Sequence, residues 1–481
     1  MATTSTPTGN TPSQVGQAVA KPAALYTMFL LFFMWGFITC MNDILIPYLK
    51  EVFELNFTQA FMVQFAFFGA YFVGSLIYFI ISATTGDPIQ KIGYKNGIMA
   101  GLGISALSCA LFYPAAQNQV YGYFLAALFL LGIGFTLLQI AANPYVAILG
   151  SSRTASSRLN LAQAFNSFGT TIAPLIGGYL VFQYFADASG TLTADSVKTP
   201  YLVFAALFVL VAVIIWFTDL PNIDTEKVEP GLGALKYPYL VFGMFAIFCY
   251  VGGEVAIGSS LINYLGLENI GGLKPGEADI FLAFYWGGAM IGRFLGAASL
   301  SKKLDSKLFI TMVVIALMVF AFVFFAALTK SGFTLSLVAV LPFLLFVAAN
   351  IGAFVLGQSF PARTLAVFGA VNIVLLFITV ATGGAIAMWT VIGIGLFNSI
   401  MWSNIFTLSI DGLGKYTSQG SSLLVMMILG GALVPVIQGA IADRAGLQIS
   451  FLVPILCYVY ILFYGLKGYK IGKAPEVVAQ E

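Results

Sequence analysis

Of the 19 acidic residues, only Asp43 and Glu254 fall well inside long apolar segments rather than in tails, loops or segment ends. A carboxylate placed in a membrane segment costs at least ~2.5 kcal/mol on insertion scales, so each is read as part of a functional site that binds a cation or carries a proton. The bland alternative is a carboxylate satisfied by a neighbouring backbone group or by Arg293, the one basic residue within an apolar segment. Arg293 lies near the end of its segment and is read as a gating or pairing residue. A set of amides accompanies the carboxylates: Asn42, Gln139, Asn143, Asn160, Gln163, Asn166, Asn263, Asn398 and Asn404. One buried amide is explained by a helix–helix hydrogen bond worth about 0.6 kcal/mol; nine together are too many for that. An amide both donates and accepts, which suits an uncharged ligand carrying many hydroxyls. Tyr71, Tyr285, Trp286 and Trp402 supply apolar faces for its ring.

The chain offers little other chemistry. It has no histidine, which excludes histidine bases, relays and metal ligands. Cys40, Cys109, Cys249 and Cys457 sit in apolar runs as small hydrophobes, with no disulfide or metal spacing. No cofactor, resident metal or enzymatic constellation is expected, and with a net charge of +2 and no basic stripe, no nucleic-acid partner either.

These residues must be positioned by membrane helices. Of 481 residues, 60% are apolar and 8% charged, too few charges to cover a water-soluble globule. Apolar segments fall near 24–49, 58–82, 98–115, 121–149, 159–182 and 201–218, and again near 238–265, 278–299, 308–328, 335–356, 364–382, 386–409, 419–440 and 450–467. Only helices or closed barrels satisfy their backbone in hydrocarbon, and strand-length alternation is absent, so about 14 transmembrane helices are predicted. With both termini placed in the cytoplasm, 15 of the 21 basic residues lie on the inner side, as the positive-inside rule requires.

The expected organisation is a cytoplasmic tail (1–22), an N-terminal six-helix bundle (23–218), a cytoplasmic inter-half loop (219–237), a C-terminal bundle (238–469) and a second tail (470–481). The halves are repeats. Gly132, Asn143, Ser157, Gly169 and Pro174 match Gly393, Asn404, Ser418, Gly430 and Pro435 at an offset of 261. Gly36 and Tyr48 match Gly252 and Tyr264 at 216. A jump of about 44 residues is two spans' worth, so the second half carries an inserted helical hairpin at about 303–360. Asn143-Pro144 is expected to break the fourth helix, and the loop Gly86–Asn96 looks like a degenerate helix latch.

The segments WGFITCMNDILIPYLK (35–50), GFTLLQIAANPYVAILG (134–150), SSRLNLAQAFNSFGTTIAPLIGG (156–178), YVGGEVAIGSSLINYL (250–265) and the run 395–424 carry a resemblance. Through them the chain resembles the major facilitator superfamily, and within it the fucose–galactose–glucose/cation symporter family, nearest the glucose/galactose branch. That implies a monomeric, inner-membrane sugar transporter driven by Na⁺ or H⁺. It implies that Asn42 and Asp43 contact sugar or couple the cation, with Asn143, Asn160 and Gln163 lining the site. The fucose/proton branch has a carboxylate where this chain has Gln139, so Glu254 is the substitute coupling residue and the ion stays open. Asn263, Tyr285, Trp286, Asn398 and Trp402 complete the expected substrate site. A drug/proton antiporter of the same fold and a non-transporting sugar sensor are the rival readings.

Overall fold

The computed structural model describes residues 22–55, 57–179, 197–221 and 230–473. The expected tails fall largely outside that range, as do the side chains of Asn42 and Asp43. Within it the chain is helical, with no strand among the described residues. The first half comprises α1 (Pro22–Val52), α2 (Phe57–Thr85), a short α3 (Pro88–Ile92), α4 (Tyr94–Asn118), α5 (Tyr121–Ile148), α6 (Ala155–Tyr179) and α7 (Lys198–Phe217). The second half begins with α8 (Pro238–Leu265), α9 (Pro275–Ser299), α10 (Ser306–Lys330), α11 (Leu337–Gly357) and α12 (Pro361–Ala381). Its last three spans are each built of two pieces. These are α13 (Gly384–Asn398) with α14 (Met401–Ile410), α15 (Thr417–Met426) with α16 (Gly430–Ala445), and α17 (Leu447–Ser450) with α18 (Leu452–Leu466).

Thirteen of these units are long and apolar enough to cross a membrane. The more polar α6, 25 residues long, is not among them but packs along α1 and α9, which keeps the helix number near the expected 14. Starts are set locally: proline occupies the first turn of α8, α9 and α12, where its missing N–H costs nothing. Asp305 and Ser336 cap the hairpin helices α10 and α11 by accepting from Leu308 N (2.6 Å) and Val338 N (3.2 Å).

The packing repeats between halves. Helix α1 lies on α6 as α8 lies on α16, α2 on α5 as α9 on α13, and α4 on α5 and α7 as α12 on α13 and α18. The helices left over are α10 and α11, the hairpin expected near 303–360. Close approach requires glycine at the seams: a Cβ on Gly395 would stand 2.0 Å from the Tyr285 carbonyl oxygen, so α13 meets α9 backbone to backbone.

One expectation is corrected. Asn143-Pro144 does not break its helix; α5 runs through both residues. The proline withdraws one N–H, but α5 is buried among neighbours that hold it, and the Asn143 amide donates to the Gln139 carbonyl (3.2 Å). The breaks lie in the second half instead, at Ser399–Ile400, at the 3-10 turn Met427–Leu429 and at Phe451.

Candidate functional site

Helix α5 sets the first cluster. Gln139 and Asn143 are one turn apart on one buried face, and the Asn143 amide donates to Gln139 Oε1 at 3.4 Å. From α6, Gln163 donates to Asn143 Oδ1 at 3.5 Å. The Tyr71 hydroxyl of α2 meets the Gln139 amide and the Trp35 indole of α1. Four helices of the first half therefore converge on neutral donors and acceptors.

The second cluster gathers around Glu254. Its Oε1 accepts from Tyr250 Oη at 2.9 Å, and its backbone carbonyl accepts from Tyr285 Oη at 3.0 Å. Asn398, the last residue of α13, donates to Tyr285 Oη (3.0 Å) and accepts from Tyr458 Oη (2.6 Å) and Asn372 Nδ2 (2.9 Å). The tyrosines are buried to within 2% of full cover, whereas Glu254 keeps part of its surface open. Five elements (α8, α9, α12, α13 and α18) thus hold one carboxylate beside a chain of hydroxyls and amides.

Arg293 ties the second cluster to α6 of the first half. Its Nη1 donates to Ser167 Oγ on α6, one turn from Gln163, and its Nε donates to the Ser399 carbonyl (3.3 Å) freed by the helix break. It also reaches the Tyr250 hydroxyl, and its charge acts on Glu254. The arginine therefore bonds to both halves and sets its charge near the carboxylate.

Other expected residues are placed differently. Asn160 lies nearer the end that carries the termini, in a seal between the halves. Its amide donates to Asn404 Oδ1 (3.1 Å), and Asn404 donates to the Pro361 carbonyl (3.0 Å). Beside it Ser156 meets Thr407 (2.6 Å), and Ser157 donates to the Ala297 carbonyl (2.6 Å). Asn166 donates to the Phe32 carbonyl, tying α6 to α1. Asn263 is exposed in the last turn of α8 and joins neither cluster. Trp286 is 41% exposed and stands edge-on to Tyr285. Trp402 is buried, stacks on Phe406, and has an indole N–H without a partner among the described residues.

Further out, the loop Gly86–Asn96 latches the halves. Gln90 Nε2 donates to the Lys415 carbonyl (2.5 Å), and Tyr94 meets Ser418 (3.3 Å). Asp87 caps α3 and accepts from Tyr78 Oη at 2.7 Å; burial pushes its carboxyl above the usual carboxylate range. Gln419 donates to Ser82 (3.3 Å) and accepts from Ala234 N (2.9 Å), pinning the inter-half loop to both halves.

Sequence reasoning missed Tyr250, Asn372, Tyr458 and Ser167. Asn372 carried the same signal as the other amides, an amide within an apolar run. The tyrosines and Ser167 carried none, because such residues are ordinary in helices.

The model of the Major Facilitator Superfamily matches residues 24–383. A glucose/galactose transporter of Brucella abortus is 46% identical over 453 residues, covering 93% of this chain and 94% of that one. The L-fucose-proton symporter of Escherichia coli is 30% identical over 459 residues, covering 90% of each. A crystal structure of FucP, a Major Facilitator Superfamily transporter in the outward conformation, superposes with a TM-score of 0.71 at 29% identity, covering 92% of this chain and 98% of that one.

Proposed function

The chain belongs to the major facilitator superfamily, in its fucose–galactose–glucose/cation symporter family, and from that premise we propose that it carries a hexose, glucose or galactose, together with Na⁺ or H⁺ by alternating access. It is a multi-pass membrane protein and a transporter, not an enzyme. The observation that carries the reading is the pairing of two polar clusters, one of neutral amides in the first half and one built on Glu254 in the second, with Arg293 bonded to both halves beside them.

In this reading the halves 23–218 and 238–469 rock about the clusters. Gln139, Asn143 and Gln163 receive sugar hydroxyls from one side, and Tyr285 and Asn398 from the other. Trp286 and Trp402 border the ring, and the unpartnered Trp402 N–H is a donor in reserve. The family resemblance assigns Asn42 and Asp43 of α1 to the same site, their side chains lying outside the described residues. Glu254 and Asp43 hold the cation, whose charge changes the pull on Arg293 and hence on Ser167 of the other half. Occupancy of the cation site then favours the sugar-competent state, and by reciprocity sugar tightens the cation site. Arg293 gates; Asn160 and Asn404 belong to the seal that opens when the cycle turns. In this reading the basic residues orient the termini, and the end sealed by Asn160 and Asn404, toward the cytoplasm of a cell membrane.

Counterflow tests this directly. Purified protein in liposomes preloaded with unlabelled glucose or galactose should take up the labelled sugar transiently, and Na⁺ and pH gradients imposed separately identify the coupling ion. No counterflow with either hexose, or competition by lipophilic cations alone, would overturn the reading.

A further inference from the structure

The inserted hairpin has no part in the mechanism above, yet one of its residues reaches the site. Between Leu308 and Leu356, α10 and α11 with their connecting loop contain one amide, Asn350, which is completely buried. Its Nδ2 donates to the Leu396 carbonyl at 3.0 Å. Leu396 lies in the last turn of α13, two residues before Asn398 and three before the break at Ser399. A helix end leaves its final carbonyls without backbone partners, and in an apolar surround each must find a donor. Leu396 has two: Asn350 from the hairpin and the Ser399 hydroxyl at 2.7 Å.

The hairpin is docked firmly enough for that bond to locate α13. Phe346 of α11 fills the notch at Gly393, where a Cβ would come within 2.6 Å of its ring. Phe343 packs against Phe284 of α9, ring centroids 5.3 Å apart, and against Trp389 of α13 at 6.3 Å. The amide is not there for general stability. Its Oδ1 has no partner among the described residues, so a leucine would be cheaper were no donor needed.

We propose that Asn350 is a positioning residue for sugar binding: the inserted hairpin lends its amide to the open end of α13 and so fixes Asn398, and through it Tyr285 and Tyr458, in binding geometry. The proposal rests on the sugar-transport reading and deepens it. Asn350 touches no substrate; it acts through the Leu396 carbonyl. Losing one donor while Ser399 still serves that carbonyl should loosen the break without unfolding the span.

The test uses the full-length protein in liposomes. Wild-type counterflow with galactose comes first, and its absence would refute sugar transport itself. With transport established, Asn350→Leu should raise the sugar concentration at half-maximal rate about three- to tenfold, with the maximal rate less affected. Val347→Ala, on the same helix without the amide, should lower thermal stability and leave half-saturation unchanged. Ser399→Ala removes the other donor, and the double variant should lose more than the product of the single effects. Should the leucine variant fail to insert, Asn350→Ser, which keeps a donor on a shorter arm, is read in the same assay and should shift half-saturation in the same direction. An unshifted half-saturation in Asn350→Leu or Asn350→Ser, an equal shift in Val347→Ala, or strict multiplicativity with Ser399→Ala would each overturn the proposal.

Discussion

Replacing Glu254 by glutamine separates carrying sugar from concentrating it. The glutamine is nearly the same shape, and its carbonyl can still accept from Tyr250, whose hydroxyl donates to Glu254 Oε1 at 2.9 Å. The Tyr285 bond to the residue 254 backbone carbonyl does not involve the side chain at all. What disappears is one negative charge facing Arg293. One coupled positive charge moving through 100 mV supplies about 2.3 kcal/mol, which for an uncharged sugar corresponds to roughly 50-fold accumulation. Wild-type liposomes under an imposed potential of about that size should approach this ratio with labelled galactose. Glu254→Gln should stop near equal concentrations inside and out while keeping counterflow. Full accumulation by the variant would remove Glu254 from coupling. Loss of counterflow as well would make it a sugar ligand, and the separation argued here would be wrong.

Three further outcomes are expected. Asp43→Asn should abolish concentrative uptake while leaving the protein in the membrane, read as gradient-driven uptake against surface or detergent-extract yield; undiminished accumulation contradicts it. Burial raises the Asp87 carboxyl in the folded protein, so the ionised form is penalised there. Stability from this group is greatest below the ordinary carboxylate range and falls as pH rises through the raised value. Asp87→Asn should remove that slope from the melting temperature measured over about pH 4 to 8, and parallel curves for the two proteins would refute it. Gly395→Ala forces a Cβ to 2.0 Å from the Tyr285 carbonyl oxygen and should destabilise by about 1–3 kcal/mol, seen as a lower melting temperature with loss of transport. An unchanged melting temperature would mean that α9 and α13 part without cost.

Much of the molecule was legible in the amino-acid order, for a single reason. Hydrocarbon forbids unpaired backbone and makes each polar side chain expensive, so span number, the repeat and the inserted pair α10 and α11 follow from local composition, which also singles out Glu254, Gln139, Asn143 and Asn398 as candidates. Partnership does not. Asn143 and Asn160 look alike along the chain, yet one sits in a cluster with Gln139 and the other in a seal against Asn404. Asn263 looks like both and joins neither cluster. Pro144 carries the sequence mark of a broken helix and sits in a continuous one, while Ser399–Ile400 carries no such mark and is the break. Tyr250 and Tyr458 become ligands of Glu254 and Asn398 only because α8, α13 and α18 converge. The cost of a buried polar group is a property of the residue; the donor that repays it belongs to whichever helix the packing brings alongside.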